Sequence, residues 1–390
     1  MSSVNDLIRE LCPDGVDAIS LGEAESCGMV TMGRGKVISK QTLEESPGNY
    51  PVYSSSAAGT GEFGRYGEFM FEDERITWSI DGGGKFFYRP EHRYSVTNVS
   101  GWMTSDSTVL SLKFLYQSLI SQWEREEFDY TRKAHPSVIR EVYTIPLPPL
   151  QVQEEIVRIL DQFVELDREL EQEVGGRELQ KTALSNALFD QLSAYPLVPL
   201  QSIGTWFGGG TPSKKNDSFW KNGVIPWVSP KDMQGHSVTS TVDYITEEAV
   251  AGSSAKLVPA GSTALVTRSS ILDKRLPVAY FPQTVAMNQD LKAVCPQDGV
   301  NGRYLFNALE HSRESILLQA HKKGGSVASL DTKRLMLFEV PLPPLEVQEE
   351  IAAKLDTFTE YIDNLKRERE LRQKQYEYYR DLLLDFPVKE

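Results

Sequence analysis

The chain of 390 residues has only three cysteines, Cys12, Cys27 and Cys295, far apart and odd in number. No C-x-x-C or Cys/His cluster gives zinc-ligand spacing, and no disulfide framework is implied, so a reducing cytoplasm is the natural compartment. The five histidines are scattered. No run of about 18 apolar residues occurs, which excludes a membrane-spanning helix. The opening "MSSVNDLIRELCPDG" has early acidic residues and no apolar core, so it does not read as a secretory signal. Catalytic signatures are missing too. No G-x-x-x-x-G-K-[ST] phosphate loop exists, since "GMVTMGRG" has Arg34 where lysine is required. "GTGEFG" (Gly59–Gly64) fits G-x-G-x-x-G but opens no helix, and reads as a turn. No N-P-P-F or D-P-P-Y stands ready to hold an amine for methyl transfer.

What the sequence does have is a repeat. "IPLPPLQVQEEIVRILDQF" (Ile145–Phe163) returns as "VPLPPLEVQEEIAAKLDTF" (Val340–Phe358), with 13 identities in 19 positions, 195 residues later. Unrelated sequence gives about one identity in such a stretch. The chain is therefore internally duplicated, and the repeat organises it.

Each copy leads into a helix. Val152, Ile156, Ile159, Phe163, Leu166 and Leu170 recur at three- and four-residue steps, as do Val347, Ile351, Leu355, Phe358, Ile362 and Leu365. Each "PLPP" is a stiff extended arm that cannot continue the helix backwards. The spacing predicts helices to about Leu192 and about Leu384. Forty residues of helix measure about 60 Å, with a single apolar stripe that two such helices bury against each other. Gly175-Gly176 adds three residues to the first copy, and so predicts a local break. Gln153 and Gln348 fit either partner contacts or buried helix-start hydrogen bonds.

Between the helices lie two Gly-, Ser- and aromatic-rich stretches with short β-type runs, "RITWSI", "KFFYRP", "IPWVSP" and "STALVTR", divided by turn signals. Each closes on a helical pattern. The four tryptophans Trp78, Trp102, Trp220 and Trp227 read as core ahead of the alternative that they stack on bases. The expected segments are 1–144, 145–198, 199–339 and 340–390: globule, helix, globule, helix. The opening "VNDLIRELCPDGVDAISLGE" is similar to "ALFDQLSAYPLVPLQS", which points to a cyclic layout. The helices are kept and the globules diverge, so the helices do one thing twice while the globules serve two targets.

The net charge is −14, but it is uneven. Residues 200–339 carry 15 basic and 12 acidic side chains, whereas 146–199 carry 4 and 10. The cations that suit nucleic acid are Arg34, Lys36, Arg65 with Tyr66, Arg132 and Lys133 in the first globule. In the second they are Lys214 and Lys215 of "TPSKK" with Thr211 and Ser213, then Lys231, Arg268 with Ser269, Lys274, Arg275, Lys322 and Lys323. Arg and Lys suit phosphates or guanine edges, and Asn and Gln suit adenine. Each of these positions also fits a solvated surface charge.

Taken together, "LIRELCPDGVDAISLGE", "YPVYSSSAAGTGEFGRYGEFMFEDERITWSIDGGG", "GGGTPSKKNDSFWKNGVIPWVSPKDMQG", "ALVTRSSI", "MNQDLKAV", the two "PLPPLxVQEEI" arms and "RQKQYEYYRDLLLDF" resemble the specificity subunit of type I restriction–modification systems over nearly the whole chain. That resemblance implies an α+β fold. Two target recognition domains would alternate with two long helices that pair as an antiparallel coiled coil, in a pseudo-two-fold repeat. It implies a cytoplasmic, non-catalytic protein whose domains read the halves of a split double-stranded DNA site. The helices would set the spacing and recruit two modification subunits. Gln153, Ile156, Phe163, Gln348, Ile351 and Phe358 are the candidates for partner or helix-pair contacts. No cofactor or metal is expected on this chain; S-adenosylmethionine would sit on the partner methyltransferase, and ATP-dependent restriction subunits could join. The composition also permits a scaffold of two ligand-binding globules without DNA.

Overall fold

The structure is a computed structural model, and it describes every residue except 1, 57–58, 130, 323–326, 388 and 390. The chain forms two compact units. Unit 1 takes Met1–Glu171 with Glu368–Glu390, and unit 2 takes Gln172–Arg367. The division therefore cuts each long helix rather than following the linear order of globules and helices.

In unit 1, a four-stranded antiparallel sheet and a smaller sheet carry the globule. The strands are β1 (Val30–Arg34), β2 (Tyr50–Tyr53), β3 (Glu62–Tyr66), β4 (Arg75–Ser79), β5 (Phe86–Arg89), β6 (Ser95–Val96) and β7 (Ser100–Ser105). The larger sheet has the order β1-β7-β4-β5, and the smaller has β3-β2-β6 with β2 and β6 parallel. Helix α1 (Leu112–Trp123) closes the sheet. Trp78, Phe86, Phe114 and Tyr143 fill the core, which continues into Val152, Ile156 and Leu160 of the first long helix, α2 (Leu150–Asp190).

Unit 2 repeats this plan with β8 (Gly204–Gly208), β9 (Ile225–Val228), β10 (Asp243–Ile245), β11 (Leu257–Val258), β12 (Ser262–Val266), β13 (Val278–Phe281), β14 (Val285–Met287) and β15 (Leu291–Pro296). The larger sheet runs β8-β15-β12-β13 and the smaller β10-β9-β14-β11, with β9 and β14 parallel. Helix α3 (Gly302–His311) takes the place of α1, and the second long helix is α4 (Leu345–Leu384).

The two proline arms are held the same way. Thr144–Pro146 pairs antiparallel with Ala18–Ser20, and Glu339–Pro341 pairs with Leu197–Pro199. In unit 2 the segment before Leu197 is continuous with α2. In unit 1 the corresponding join is non-covalent: the Val16 N–H donates to the Pro387 carbonyl at 2.8 Å, and the Lys389 N–H donates to the Val16 carbonyl at 3.1 Å. Gly15 is needed there, at φ +87°, because a Cβ would lie 2.5 Å from the Pro387 oxygen. The cyclic layout read from the sequence thus has a physical closure.

The long helices lie antiparallel within each unit. In unit 1, Arg369 donates to both Asp167 oxygens at 2.9 and 3.1 Å, and Phe163 packs against Tyr376 and Tyr379. In unit 2, Lys366 pairs with Glu178 at 2.7 Å, and Phe189 and Leu192 cluster with Ile351 and Leu355. The break expected at Gly175-Gly176 does not occur, because α2 passes through both glycines as α-helix. A helical glycine costs about 1 kcal/mol relative to alanine, too little to stop a helix fixed by packing on both sides.

Candidate nucleic-acid interface

The same backbone construction stands at one edge of each unit. The turn after the parallel strand runs Thr97-Asn98-Val99 in unit 1 and Asn288-Gln289-Asp290 in unit 2. It is fixed by matching bonds. The Thr97 N–H donates to the Tyr53 carbonyl and the Asn288 N–H to the Val228 carbonyl, both at 2.9 Å. The Ile80 N–H donates to the Val99 carbonyl at 3.0 Å, as the Thr267 N–H does to the Asp290 carbonyl at 2.7 Å. These bonds make Asn98 and Gln289 structural equivalents.

The strand leading past each turn explains a glycine. A Cβ on Gly35 would lie 2.1 Å from the Val96 carbonyl oxygen, and one on Gly209 would lie 1.8 Å from that of Asn288. Only glycine lets the two backbones approach so closely. "GRGKVISK" and "GGGTPSKK" are therefore one construction with two sets of side chains. In unit 2, two tryptophans hold this loop: Trp227 Nε1 donates to the Gly210 carbonyl and Trp220 Nε1 to the Ser213 carbonyl, each at 3.1 Å. Their rings meet edge to face at 5.1 Å. Trp78 and Trp227 are buried core, while Trp102 and Trp220 are half-buried.

Unit 2 brings half of its eight predicted cations towards the turn. The Thr211 hydroxyl donates to the Gln289 amide oxygen, so the "TPSKK" loop abuts the turn at its first residue, and Ser213, Lys214 and Lys215, all exposed, follow in the same loop. The Arg268 N–H donates to the Asp290 carbonyl at 3.2 Å. Arg268 and Lys322 both face Ser329 across short β pairings, and the Ser269 N–H bonds the Ala328 carbonyl. Lys231, Lys274 and Arg275 form a neighbouring group, joined by an Arg275–Gln234 contact at 3.4 Å. Among the described residues, Lys214, Lys215, Lys231, Arg268, Lys274, Arg275 and Lys322 are exposed and form no ion pair. Lys323 lies outside the described residues.

Unit 1 is different. Arg34 is exposed and donates to the Asn98 carbonyl at 3.1 and 2.6 Å, and Lys36 bridges to Thr97, so both reach the turn. Lys133 comes near it as well, but as an ion pair with Asp81 at 3.0 Å. Arg132 is held by Glu126 at 2.9 Å. Arg65 pairs with Glu62 and bonds the Asn49 carbonyl, towards the opposite end of β2 from the turn, and Tyr66 lies there too. The structure does not bring Arg65, Tyr66 or Arg132 to the shared edge.

The six residues offered for partner or helix-pair contact divide. Gln153 and Gln348 are each 1% exposed and build the same clamp. Gln153 accepts from the Ser111 N–H at 2.9 Å and donates to the Val109 and Pro148 carbonyls at 3.0 and 2.8 Å. Gln348 accepts from the Asn301 N–H at 2.8 Å and donates to the Gly299 and Pro343 carbonyls at 3.0 and 2.8 Å. Of the two readings of these glutamines, the geometry is that of buried helix-start bonds, with both amide hydrogens engaged inside the chain. Ile156 and Ile351 are buried against their own units. Phe163 and Phe358 are half-buried.

The family model for the type I restriction modification DNA specificity domain matches residues 26–175 and 195–373. The chain belongs to that family. Among similar proteins, the EcoR124I/EcoR124II type I specificity subunit of Escherichia coli is 45% identical over 300 residues, 73% of each chain. A putative type I specificity subunit of Mycoplasma pneumoniae is 27% identical over 90% of this chain and 94% of its own. The fold matches the crystal structure of a type I S subunit from M. genitalium, with a TM-score of 0.59, 16% identity and 94% and 95% coverage. It also matches a chain from a study of complex assembly in a type I system, with a TM-score of 0.52, 15% identity and 96% and 97% coverage. The alternative of a scaffold that does not touch DNA is set aside.

Proposed function

We propose that this chain is the non-catalytic DNA-specificity subunit of a cytoplasmic type I restriction–modification complex. Each unit reads one half of a bipartite double-stranded DNA site, and the long helices set the spacing between the halves. The observation that carries this reading is the edge built twice on identical backbone bonds with different side chains at its tip. A fixed scaffold with variable tips suits two different sequences read by one architecture.

The helices also seat the partners. Leu371, Tyr378 and Leu382 are 60%, 64% and 51% exposed on α4, at seven- and four-residue steps that put them on one stripe. Such a stripe suits a modification subunit, two of which assemble on the duplicated helices and bring S-adenosylmethionine. Restriction subunits join that core where the system has them. The acidic helix segments keep the isolated chain a weak DNA binder, and the partner's cations supply the missing phosphate contacts.

The test is to express this chain with its methyltransferase subunit in a host free of DNA methylation and to sequence the methylated genome. We expect one motif with two specific parts and a non-specific gap, and no methylation from either protein alone. Methylation without this chain, or a single undivided motif, would overturn the reading.

A further inference from the structure

Asn98 and Gln289 occupy equivalent positions in units that share little other sequence in their globules, and both are amides. We infer that these two side chains are base readers, each holding an adenine of its own half-site. The inference rests on the DNA-specificity reading and deepens it, by assigning one recognition residue and one base to each half.

Four observations converge on the pair. First, the backbone of each turn is over-determined, by the strand before it, the strand after it and a glycine-only approach from the side, so the tip cannot drift. A rigid tip is what discrimination between bases requires, because a misplaced amide loses both bonds. Second, the side chains are available. Gln289 is exposed and Asn98 half-exposed. Among the described residues the Asn98 side chain makes no hydrogen bond, its backbone carbonyl alone taking Arg34. The Gln289 amide oxygen accepts the Thr211 hydroxyl, which holds the amide, and among the described residues its NH2 group makes no hydrogen bond. Third, cations flank each amide: Arg34 and Lys36 in unit 1, and Arg268 with the Lys214-Lys215 loop in unit 2. They are placed to take phosphates and fix register, which is the division of labour between backbone and base contacts. Fourth, a carboxamide carries one donor and one acceptor side by side. That pattern complements the N6 amine and N7 of adenine in the major groove, where it gives a bidentate contact. In the major groove no other base offers an acceptor beside a donor.

The shorter asparagine and the longer glutamine are compatible with one role. Arg34 holds the unit 1 turn by its backbone and leaves the Asn98 side chain free of hydrogen bonds among the described residues, whereas Thr211 holds the longer Gln289 side chain itself.

The experiment uses the chain assembled with its methyltransferase partner and compares four variants with the parent: Gln289→Ala, Gln289→Glu, Asn98→Ala and Asn98→Asp. Genome methylation is read by single-molecule sequencing, and binding is measured on duplexes changed one base pair at a time. Gln289→Ala should relax one position, an A·T pair in the parent, in one half-site only, cutting preference there roughly ten- to a hundredfold. Asn98→Ala should do the same in the other half. The acidic variants accept but cannot donate, so preference at that position should move towards cytosine, whose N4 amine is a donor. If the parent methylates a bipartite motif and all four variants keep it unchanged, the inference fails while the specificity reading stands. If the relaxed position is not an A·T pair, or both half-sites relax together, the inference also fails. Uniform loss of methylation at every sequence by all four variants would overturn it too, since that marks a structural role. If the parent shows no bipartite motif, the underlying reading fails first.

Discussion

Units 1 and 2 use one skeleton and differ in how they treat charge. Among the described residues, unit 2 leaves its cations at the shared edge outside close ion pairs. Unit 1 neutralises Lys133 with Asp81, Arg132 with Glu126 and Arg65 with Glu62, and keeps only Arg34 and Lys36 at the turn. The junction with the helices differs as well. Lys113–Asp161 at 2.5 Å in unit 1 becomes the bidentate Arg303–Asp356 pair at 2.8 and 2.6 Å in unit 2. Beyond that shared pair, unit 1 relies on Arg380, 1% exposed, held by Glu124 and Asp381 at 2.6 and 2.9 Å. Unit 2 has a half-buried group instead, where Lys181 Nζ lies 3.3 Å from His236 Nε2 and Arg313 pairs with Glu310. Backbone geometry is conserved between the units while electrostatics is not. Divergence has been free wherever a side chain does not hold the frame.

The strongest way to break the comparison is to exchange a globule. Replacing residues 199–339 with the equivalent domain of a relative should replace one half of the methylated motif outright and leave the other untouched. Sequencing the methylated genome reads the outcome, and a change in both halves would show that the units do not read independently.

Next in size is a change that should harm one unit only. Arg380→Ala removes a buried guanidinium and leaves Glu124 and Asp381 facing each other. Breaking a fully buried pair costs about 3–5 kcal/mol, but both carboxylates are more than a third exposed and Asp381 keeps Arg125 and Ser121, so the loss should fall below that range, at about 1–3 kcal/mol. Hydrogen exchange should show faster opening across α1 and the end of α4, with unit 2 protected as before.

The smallest effect is a pH dependence confined to unit 2. Burial, and secondarily the Lys181 charge, lower the His236 pKa to about 4. The unfolded imidazole titrates near 6.5. A depressed histidine binds its proton more weakly folded than unfolded, so its contribution is full above about pH 6.5 and fades as pH falls towards 4. Thermal melting should therefore show unit 2 losing stability over that window. His236→Gln should flatten the profile there, and an equal slope in the variant would assign the effect to other groups.

The sequence made the helices legible because their signals are local. Proline arms and three- and four-residue apolar steps predict helices to about Leu192 and Leu384, and the structure ends α2 at Asp190, followed by a 3₁₀ turn to Ala194, and α4 at Leu384. Gly175-Gly176 misleads because intrinsic propensity is weak against packing along a long helix. The common topology of the globules is hidden because β6 and β14 are only two and three residues long and pair in parallel with strands more than forty residues earlier. Asn98 and Gln289 sit in turns with no periodicity, so their equivalence emerges only from matching backbone bonds. The best sequence signal for them was the glycine of "GRGK" and "GGGT", whose necessity is a close approach from a distant strand. Basic residues are easy to find, but composition does not tell that Lys133 and Arg132 sit in close ion pairs while, among the described residues, Arg268 and Lys322 do not, Lys322 acting on Asp331 only at longer range.

The non-covalent seam at Val16 and Pro387 has a consequence for the order of events in folding. Unit 2 is one unbroken stretch of chain, so every residue it needs is present once Arg367 has been made. Unit 1 is not. Its globule is synthesised early, yet the helix end that covers Phe114 and supplies Arg380 arrives only after the whole of unit 2. Closing so long a loop carries an entropic cost that grows only logarithmically, but the exposed apolar surface must wait for it. Although first in sequence, unit 1 is the last to be completed, and a folded unit 2 shortens the distance its two pieces must search.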